Sequence, residues 1–111
     1  MTQIDFPDIL NQLKTNVVNL SQTTFKDYAK DLKADAQKTL DNMKPELKKW
    51  ANQLAEGSLT EEEFAWLLNS KKDLIEITAL KNAGIAKIKI DQFKSSILNV
   101  IANTIGQIVK V

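Results

Sequence analysis

Apolar residues recur at helical spacing along nearly the whole chain, and this pattern predicts an all-α protein. A first helix is predicted over residues 5–20, where one apolar stripe faces Asn, Gln and Lys. The stripe consists of Phe6, Ile9, Leu10, Leu13, Val17 and Leu20. The polar residues 21–24 interrupt it, so either a new helix begins there or one helix continues through them.

Residues 25–57 divide into three units of eleven and predict a long amphipathic helix. Because eleven residues make almost three whole turns, the stripe hardly drifts around the helix axis. The repeated positions hold Phe25, Tyr28, Ala29, Leu32, Ala36, Thr39, Leu40, Met43, Leu47, Trp50, Ala51 and Leu54. Pro45 either kinks or breaks this helix, since proline removes a hydrogen bond and clashes with the preceding turn. We favour a kinked, continuous helix because the stripe continues across Pro45.

The stretch from Gly57 to Phe64 predicts the end of one helix and the start of the next. Gly57 suits the left-handed conformation at a helix C-terminus. Thr60 and Glu63 have the spacing of a capping box, and Leu59 and Phe64 have that of a hydrophobic staple. This corner is therefore predicted to connect the two helices of a long helical hairpin.

The third predicted helix runs from this corner to about Ala83, where Gly84 would end it. One of its faces is apolar through Phe64, Leu67, Leu68, Leu74, Ile75 and Ala79. Trp66, Ile77 and Leu80 fall on nearly the opposite face. Tryptophan is enriched at binding hot spots, so these three residues are the candidate partner-binding surface. The alternative is that they are buried against the last helix.

Residues 85–90 alternate isoleucine with lysine at their end and are interpreted as a connector, or as a strand pairing with another subunit. Asp91 is expected to cap a final, strongly apolar helix over about residues 92–109. The complete prediction is a single helical domain, residues 1–111. It is a bundle of three to four helices with a long, Pro45-kinked hairpin, across which the last helix packs.

The composition removes several classes of function. The chain has no cysteine and no histidine, so the commonest metal ligands and general bases are missing. All 15 basic residues are lysine and the net charge is +1, which disfavours nucleic-acid binding. We therefore expect no catalytic residues, no cofactor, no metal and no enzymatic activity.

The ends and the residue usage suggest where the protein works. Residues 1–5 lack the basic and apolar segments of a secretory signal, and no run reaches the roughly 18 apolar residues of a membrane span. A cytoplasmic location is therefore predicted. The abundance of Lys, Ile and Asn points to an A/T-rich coding sequence and hence to a bacterial or phage origin.

Charge is distributed unevenly along the chain. Residues 56–63 contain four glutamates and no lysine, whereas residues 85–111 contain four lysines and one aspartate. These oppositely charged regions could attract each other within one chain or between chains.

The eleven-residue units of residues 25–57, with a proline at a possible junction, resemble those of the exchangeable apolipoproteins. They are also similar in character to bacterial phasins, helical proteins that coat lipid-like granules. The corner at residues 57–64 resembles the turn of short helical hairpin modules such as the SHOCT domain. The resemblance of residues 25–57 implies binding to a lipid surface.

The function predicted from the sequence is that of a non-enzymatic structural or assembly protein acting through helix packing. A helix of residues 25–55 would be roughly 45 Å long, which the remaining short helices can hardly cover. We therefore expect a homo-oligomer in which the uncovered stripe forms the interface. One alternative is a peripheral lipid-surface binder using residues 25–57 and 92–109. Another is a small adaptor or immunity-type protein that binds one protein partner.

Overall fold

The computed structural model describes residues 5–109, and all regular structure in that range is helical. The five α-helices are α1 (Phe6–Thr24), α2 (Ala29–Glu56), α3 (Glu61–Asn69), α4 (Thr78–Asn82) and α5 (Lys87–Val109). Short 3₁₀ turns cover Lys26–Tyr28 and Lys72–Leu74. The predicted all-α bundle is confirmed.

Helix α1 begins where the sequence predicts, but it ends at Thr24, four residues after the predicted end at residue 20. The side chain of Asp5 accepts a hydrogen bond from the N–H of Asp8 (3.3 Å), and Pro7 lies in the first turn. The helix continues through residues 21–24 because the buried hydroxyl of Ser21 donates to the carbonyl of Val17 (3.0 Å). The hydroxyl of Ser21 therefore has a hydrogen-bond acceptor within the helix, and the polar residues 21–24 do not end the helix. The break falls at Phe25 instead.

Helix α2 is continuous through Pro45, as favoured from the sequence. Pro45 lies on the exposed side, where solvent can reach the backbone carbonyl that the missing N–H leaves free. The buried side chains of α2 all belong to the predicted eleven-residue stripe. They are Leu32, Ala36, Thr39, Leu40, Met43, Leu47, Trp50 and Ala51.

The corner after α2 is confirmed in detail. Gly57 adopts a left-handed conformation (φ 81°), and its N–H donates to the carbonyl of Leu54 (3.2 Å). The hydroxyl of Thr60 accepts the N–H of Glu63, and the carboxylate of Glu63 accepts the N–H of Thr60, both at 3.0 Å. These reciprocal bonds are a capping box, and they fix where α3 begins.

The prediction of one continuous third helix to Ala83 is wrong. Helix α3 ends at Asn69, and the chain then passes through a 3₁₀ turn and an extended residue, Ile75, before the short α4. In a helix, Ile75 and Ile77 would point to opposite sides, but in extended backbone residues two apart point the same way. The break therefore lets both isoleucines enter the core.

The broken third segment still runs antiparallel to α2. The ammonium of Lys71 pairs with the carboxylate of Glu46 (2.8 Å) in the C-terminal half of α2. Towards the other end, the carboxylate of Asp35 accepts the N–H of Ala79 at the start of α4 (2.8 Å). Since Ile77, the N-cap of α4, provides no side-chain cap, Asp35 supplies that acceptor from another helix.

Helix α1 is antiparallel to both α2 and α5. Lys14 and Asp41 form an ion pair across α1 and α2 (3.6 Å). The amide of Asn16 donates to the hydroxyl of Thr104 (2.9 Å), and the rings of Phe25 and Phe93 meet edge to face (5.2 Å). The molecule is thus an up-down-up-down bundle of four segments, the third of which is divided into α3 and α4.

Helix α5 begins at Lys87, so the interpretation of residues 85–90 as a connector or strand is wrong from Lys87 onward. Gly84 (φ 76°) ends the preceding helical segment, as predicted. Two residues, Ile85 and Ala86, separate this glycine from α5. The first turn of α5 therefore presents Ile88 to solvent instead of pairing it in a sheet.

Candidate partner-binding surface

The three predicted partner-binding residues do not share a surface. Ile77 and Leu80 are 4% and 0% exposed and belong to the core, whereas Trp66 is 71% exposed. Their assignment to a partner surface is therefore wrong for Ile77 and Leu80. The reason is the break after α3, which reorients the chain and turns these two side chains inward.

Trp66 points away from the bundle because of its position on α3. Phe64 and Leu68 are buried and set the inward side of this helix. Trp66 is two residues from each of them, about half a turn around the axis. The indole therefore lies on the outer side, and the prediction that it is a binding residue stays open.

The surroundings of Trp66 are polar and acidic. Residues three and four positions away on a helix are surface neighbours, which places Glu62, Glu63, Asn69 and Ser70 around the indole. All four are exposed. We call the group of Glu62, Glu63, Trp66 and Asn69 the Trp66 face.

The negative charge at this corner faces solvent. Glu56, Glu61, Glu62 and Glu63 are all exposed, and in residues 5–109 the ion pairs join Lys14 to Asp41 and Lys71 to Glu46. The positive end of the α3 dipole accommodates the three consecutive glutamates locally. The negative electrostatic potential of these four glutamates is therefore accessible to a cationic partner.

A second exposed apolar side chain lies at the start of α5. Ile88 is 66% exposed, its chain neighbours Lys87 and Lys89 are exposed as well, and the half-buried Asp91 lies one turn later on the same side of the helix. The inward side of α5 is formed by other residues, beginning with Phe93 and Ile97. We call Lys87, Ile88 and Lys89 the Ile88 patch.

The Trp66 face and the Ile88 patch lie near opposite ends of the bundle. Glu61 and Ala65 border a groove with Asn103 and Gln107 near the end of α5. Lys87 is twenty residues before Gln107 on the same helix, which corresponds to roughly 30 Å. Attraction between the acidic corner and these lysines within one chain is therefore ruled out by distance. Lys110, which also contributed to the predicted basic region, lies outside the described residues.

The larger surface groove lies between the Asp73–Lys81 region and the start of α5, and has a volume of about 590 Å³. Its apolar lining includes Ile75, Ile77, Ile85 and Ile90. Three acids and three lysines also line it, namely Asp73, Glu76, Asp91, Lys81, Lys87 and Lys94. These charges balance, so the groove offers no selective attraction to an anion or a cation.

The groove between α2 and the Lys72–Leu74 turn is smaller, at about 290 Å³. It contains the ion pair of Lys71 with Glu46, and Leu74 lies at its border with 72% of its side chain exposed. The two charged groups at its centre satisfy each other. The other two charged residues of its lining, Lys38 and Glu76, are opposite in sign, so this groove also offers no net charge that would select a ligand.

Other candidate chemistry has structural explanations. Residues 5–109 contain no group of three acidic side chains close enough to hold a metal ion. The carboxylate of Asp35 on α2 accepts the N–H of Ala79 and is thereby part of the packing of α4. No helix in the described range combines the length and apolar character needed to cross a membrane.

The long stripe of α2 is covered within the chain. Its buried residues form one core cluster with apolar residues of α1, α3, α4 and α5. The premise that this stripe remains uncovered and forms the interface of an oligomer is therefore wrong. The exposed apolar side chains belong to other parts of the molecule, Trp66, Leu74, Ile88 and Ile108.

Comparisons with protein-family models, with curated proteins and with solved structures find no match.

Proposed function

We propose that this chain is a non-enzymatic assembly protein that self-associates through the Trp66 face. The observation that carries the proposal is the position of Trp66, a large aromatic side chain on the outer side of α3 that is 71% exposed. Truncating a side chain that dominates an interface typically costs about 2 kcal/mol or more of binding free energy. Tryptophan is also among the residues that most often dominate binding energy.

The rest of the surface supports binding rather than catalysis. The chain lacks histidine and cysteine, and its charged grooves have balanced or paired charges. The core is closed by the chain itself, so the exposed apolar side chains have no role in holding the bundle together. Binding through helix surfaces is the activity that these features allow.

The second candidate is an adaptor that binds one different protein through the same face. The acidic surroundings of Trp66 favour a partner with a basic surface, whether a second copy or another protein. The two candidates differ in the mass of the purified protein: the adaptor is a monomer alone, and the assembly protein is not.

Binding to a lipid surface requires a larger structural change of the bundle than the other two functions. Its two proposed segments, residues 25–57 and 92–109, bury their apolar sides in the core cluster. Contact with lipid through those sides would require the bundle to open, as the resemblance to exchangeable apolipoproteins would imply. We rank this alternative below the other two because the closed bundle offers lipid only isolated apolar side chains.

The test is light scattering on a sizing column over a concentration series for the native chain, Trp66→Ala and Leu74→Ala. Leu74 is the matched control because its side chain is equally exposed, at 72%. We expect the native chain and Leu74→Ala to rise in mass with concentration and Trp66→Ala to remain a monomer. Equal association of Trp66→Ala and native protein would contradict the proposed face, and a native monomer at every concentration would contradict self-association.

A further inference from the structure

We infer that the surface that meets the Trp66 face is the Ile88 patch of a second copy, so that the chains associate head to tail. This inference rests on the proposed self-association and names its partner surface. The two surfaces are complementary in composition: each combines one large exposed apolar side chain with fully exposed charges, and these exposed charges are of opposite sign, with the half-buried Asp91 offsetting part of the positive charge near Ile88.

The charges favour this pairing over symmetric ones. Two copies of the Trp66 face would bring Glu62 and Glu63 against their counterparts, and like charges juxtaposed at an interface are strongly unfavourable. Two copies of the Ile88 patch would oppose Lys87 and Lys89 in the same way. Of the three pairings of these two surfaces, only the mixed contact places the glutamates of one copy beside the lysines of the next.

The Trp66 face and the Ile88 patch of one chain are too far apart to bind each other. Lys87 is roughly 30 Å from the end of α5 that adjoins the acidic corner, as calculated along the helix. Each copy that docks through one surface therefore leaves its other surface free. A contact between two different surfaces gives a ring if the rotation closes and an open chain of subunits if it does not.

The contact is expected to be weak and sensitive to salt. Each surface is built around one large side chain, which places it among the small, transient interfaces, under roughly 1,200 Å². Its opposite charges are exposed before docking and are therefore screened by ions. The screening length falls from about 10 Å at 0.1 M salt to about 3 Å at 1 M, so association should weaken across this range.

The decisive experiment combines two variants, Trp66→Ala and Ile88→Ser, measured alone and as an equimolar mixture by sedimentation velocity. Each variant lacks one surface and retains the other. We expect each alone to be a monomer at concentrations where the native chain associates. In the mixture, the intact Trp66 face of Ile88→Ser should bind the intact Ile88 patch of Trp66→Ala. The product should be a dimer that grows no further.

The outcomes separate this inference from the proposed function. If Ile88→Ser associates like native protein while Trp66→Ala does not, the Trp66 face is confirmed and the head-to-tail contact is overturned. If both variants are monomers and their mixture also stays monomeric, the head-to-tail contact is again overturned. A native chain that is monomeric throughout overturns both proposals. Circular dichroism and the unfolding midpoint of each variant establish that the bundle is intact.

A charge exchange provides a second, independent readout. Glu62→Lys and Lys89→Glu change exposed residues that form no ion pair in the described range. Each alone should weaken association, and the double variant should recover it because the opposite signs are restored across the interface. A double variant that associates less than either single variant would count against the pairing.

Discussion

The two tryptophans lie on opposite sides of the corner between α2 and α3. Trp50, on the inward side of α2, is 8% exposed, and its ring meets that of Phe64 edge to face at 6.2 Å. Trp66, on the outward side of α3, faces solvent among glutamates. The same residue type thus holds two helices together on one side and contributes little to folding on the other. The difference shows that a large aromatic side chain indicates binding only once its direction is known.

The largest expected effect is that of Trp50→Ala. Removing a buried aromatic side chain leaves a cavity and costs about 3–5 kcal/mol, a large share of the about 5–15 kcal/mol typical of a domain. Urea unfolding followed by circular dichroism measures this loss. Trp66→Ala should change the free energy of unfolding by no more than about 0.5 kcal/mol.

Similar losses of unfolding free energy in Trp50→Ala and Trp66→Ala would contradict the conclusion that only Trp50 contributes to the core. In particular, a loss above about 2 kcal/mol for Trp66→Ala would show that its indole packs within the chain. The measurement should be made at low protein concentration, because association through Trp66 would otherwise add apparent stability to the native chain.

A smaller effect is expected for Asp35→Ala, which tests the packing of the broken third segment against α2. The substitution leaves the N–H of Ala79 without its acceptor, so we expect a loss of about 1–3 kcal/mol. Asp31→Ala, one turn earlier and exposed, is the matched control; it loses only a first-turn interaction with the helix dipole, which is worth about 0.3–1 kcal/mol. Hydrogen exchange should show increased opening of α4 in Asp35→Ala only. Equal effects of the two substitutions would mean that the bond does not hold α4.

The sequence could predict the features that depend on neighbouring residues. The eleven-residue spacing identified the buried side of α2, and Thr60 with Glu63 identified the start of α3, because both signals are local. The break after Asn69 depends on distant contacts, such as the acceptor that Asp35 provides for a residue 44 positions later. The spacing of Ile75 and Ile77, two residues apart, was the available local signal for extended backbone there.

The candidate site was predictable only in part for the same reason. Trp66 was selected by residue type and helical position, and its direction depends on Phe64 and Leu68, which the sequence placed together on one apolar face and the structure buries. Ile77 and Leu80 were assigned to the same face by continuing the helix beyond its true end. The Ile88 patch was missed because residues 85–90 were not assigned to a helix.

The smallest of the three expected losses of stability is that of Thr60→Ala, which tests whether an exposed part of the corner can matter for both folding and binding. The substitution removes the acceptor for the N–H of Glu63, which should cost about 1 kcal/mol. Ser58→Ala, two residues earlier and equally exposed, is the control and should be nearly neutral. Because the cap fixes the first turn of α3, its loss should also let Glu62 and Glu63 fray and weaken association, while Trp66 itself is retained. Lower stability with unchanged association would show that the Trp66 face acts independently of how α3 begins.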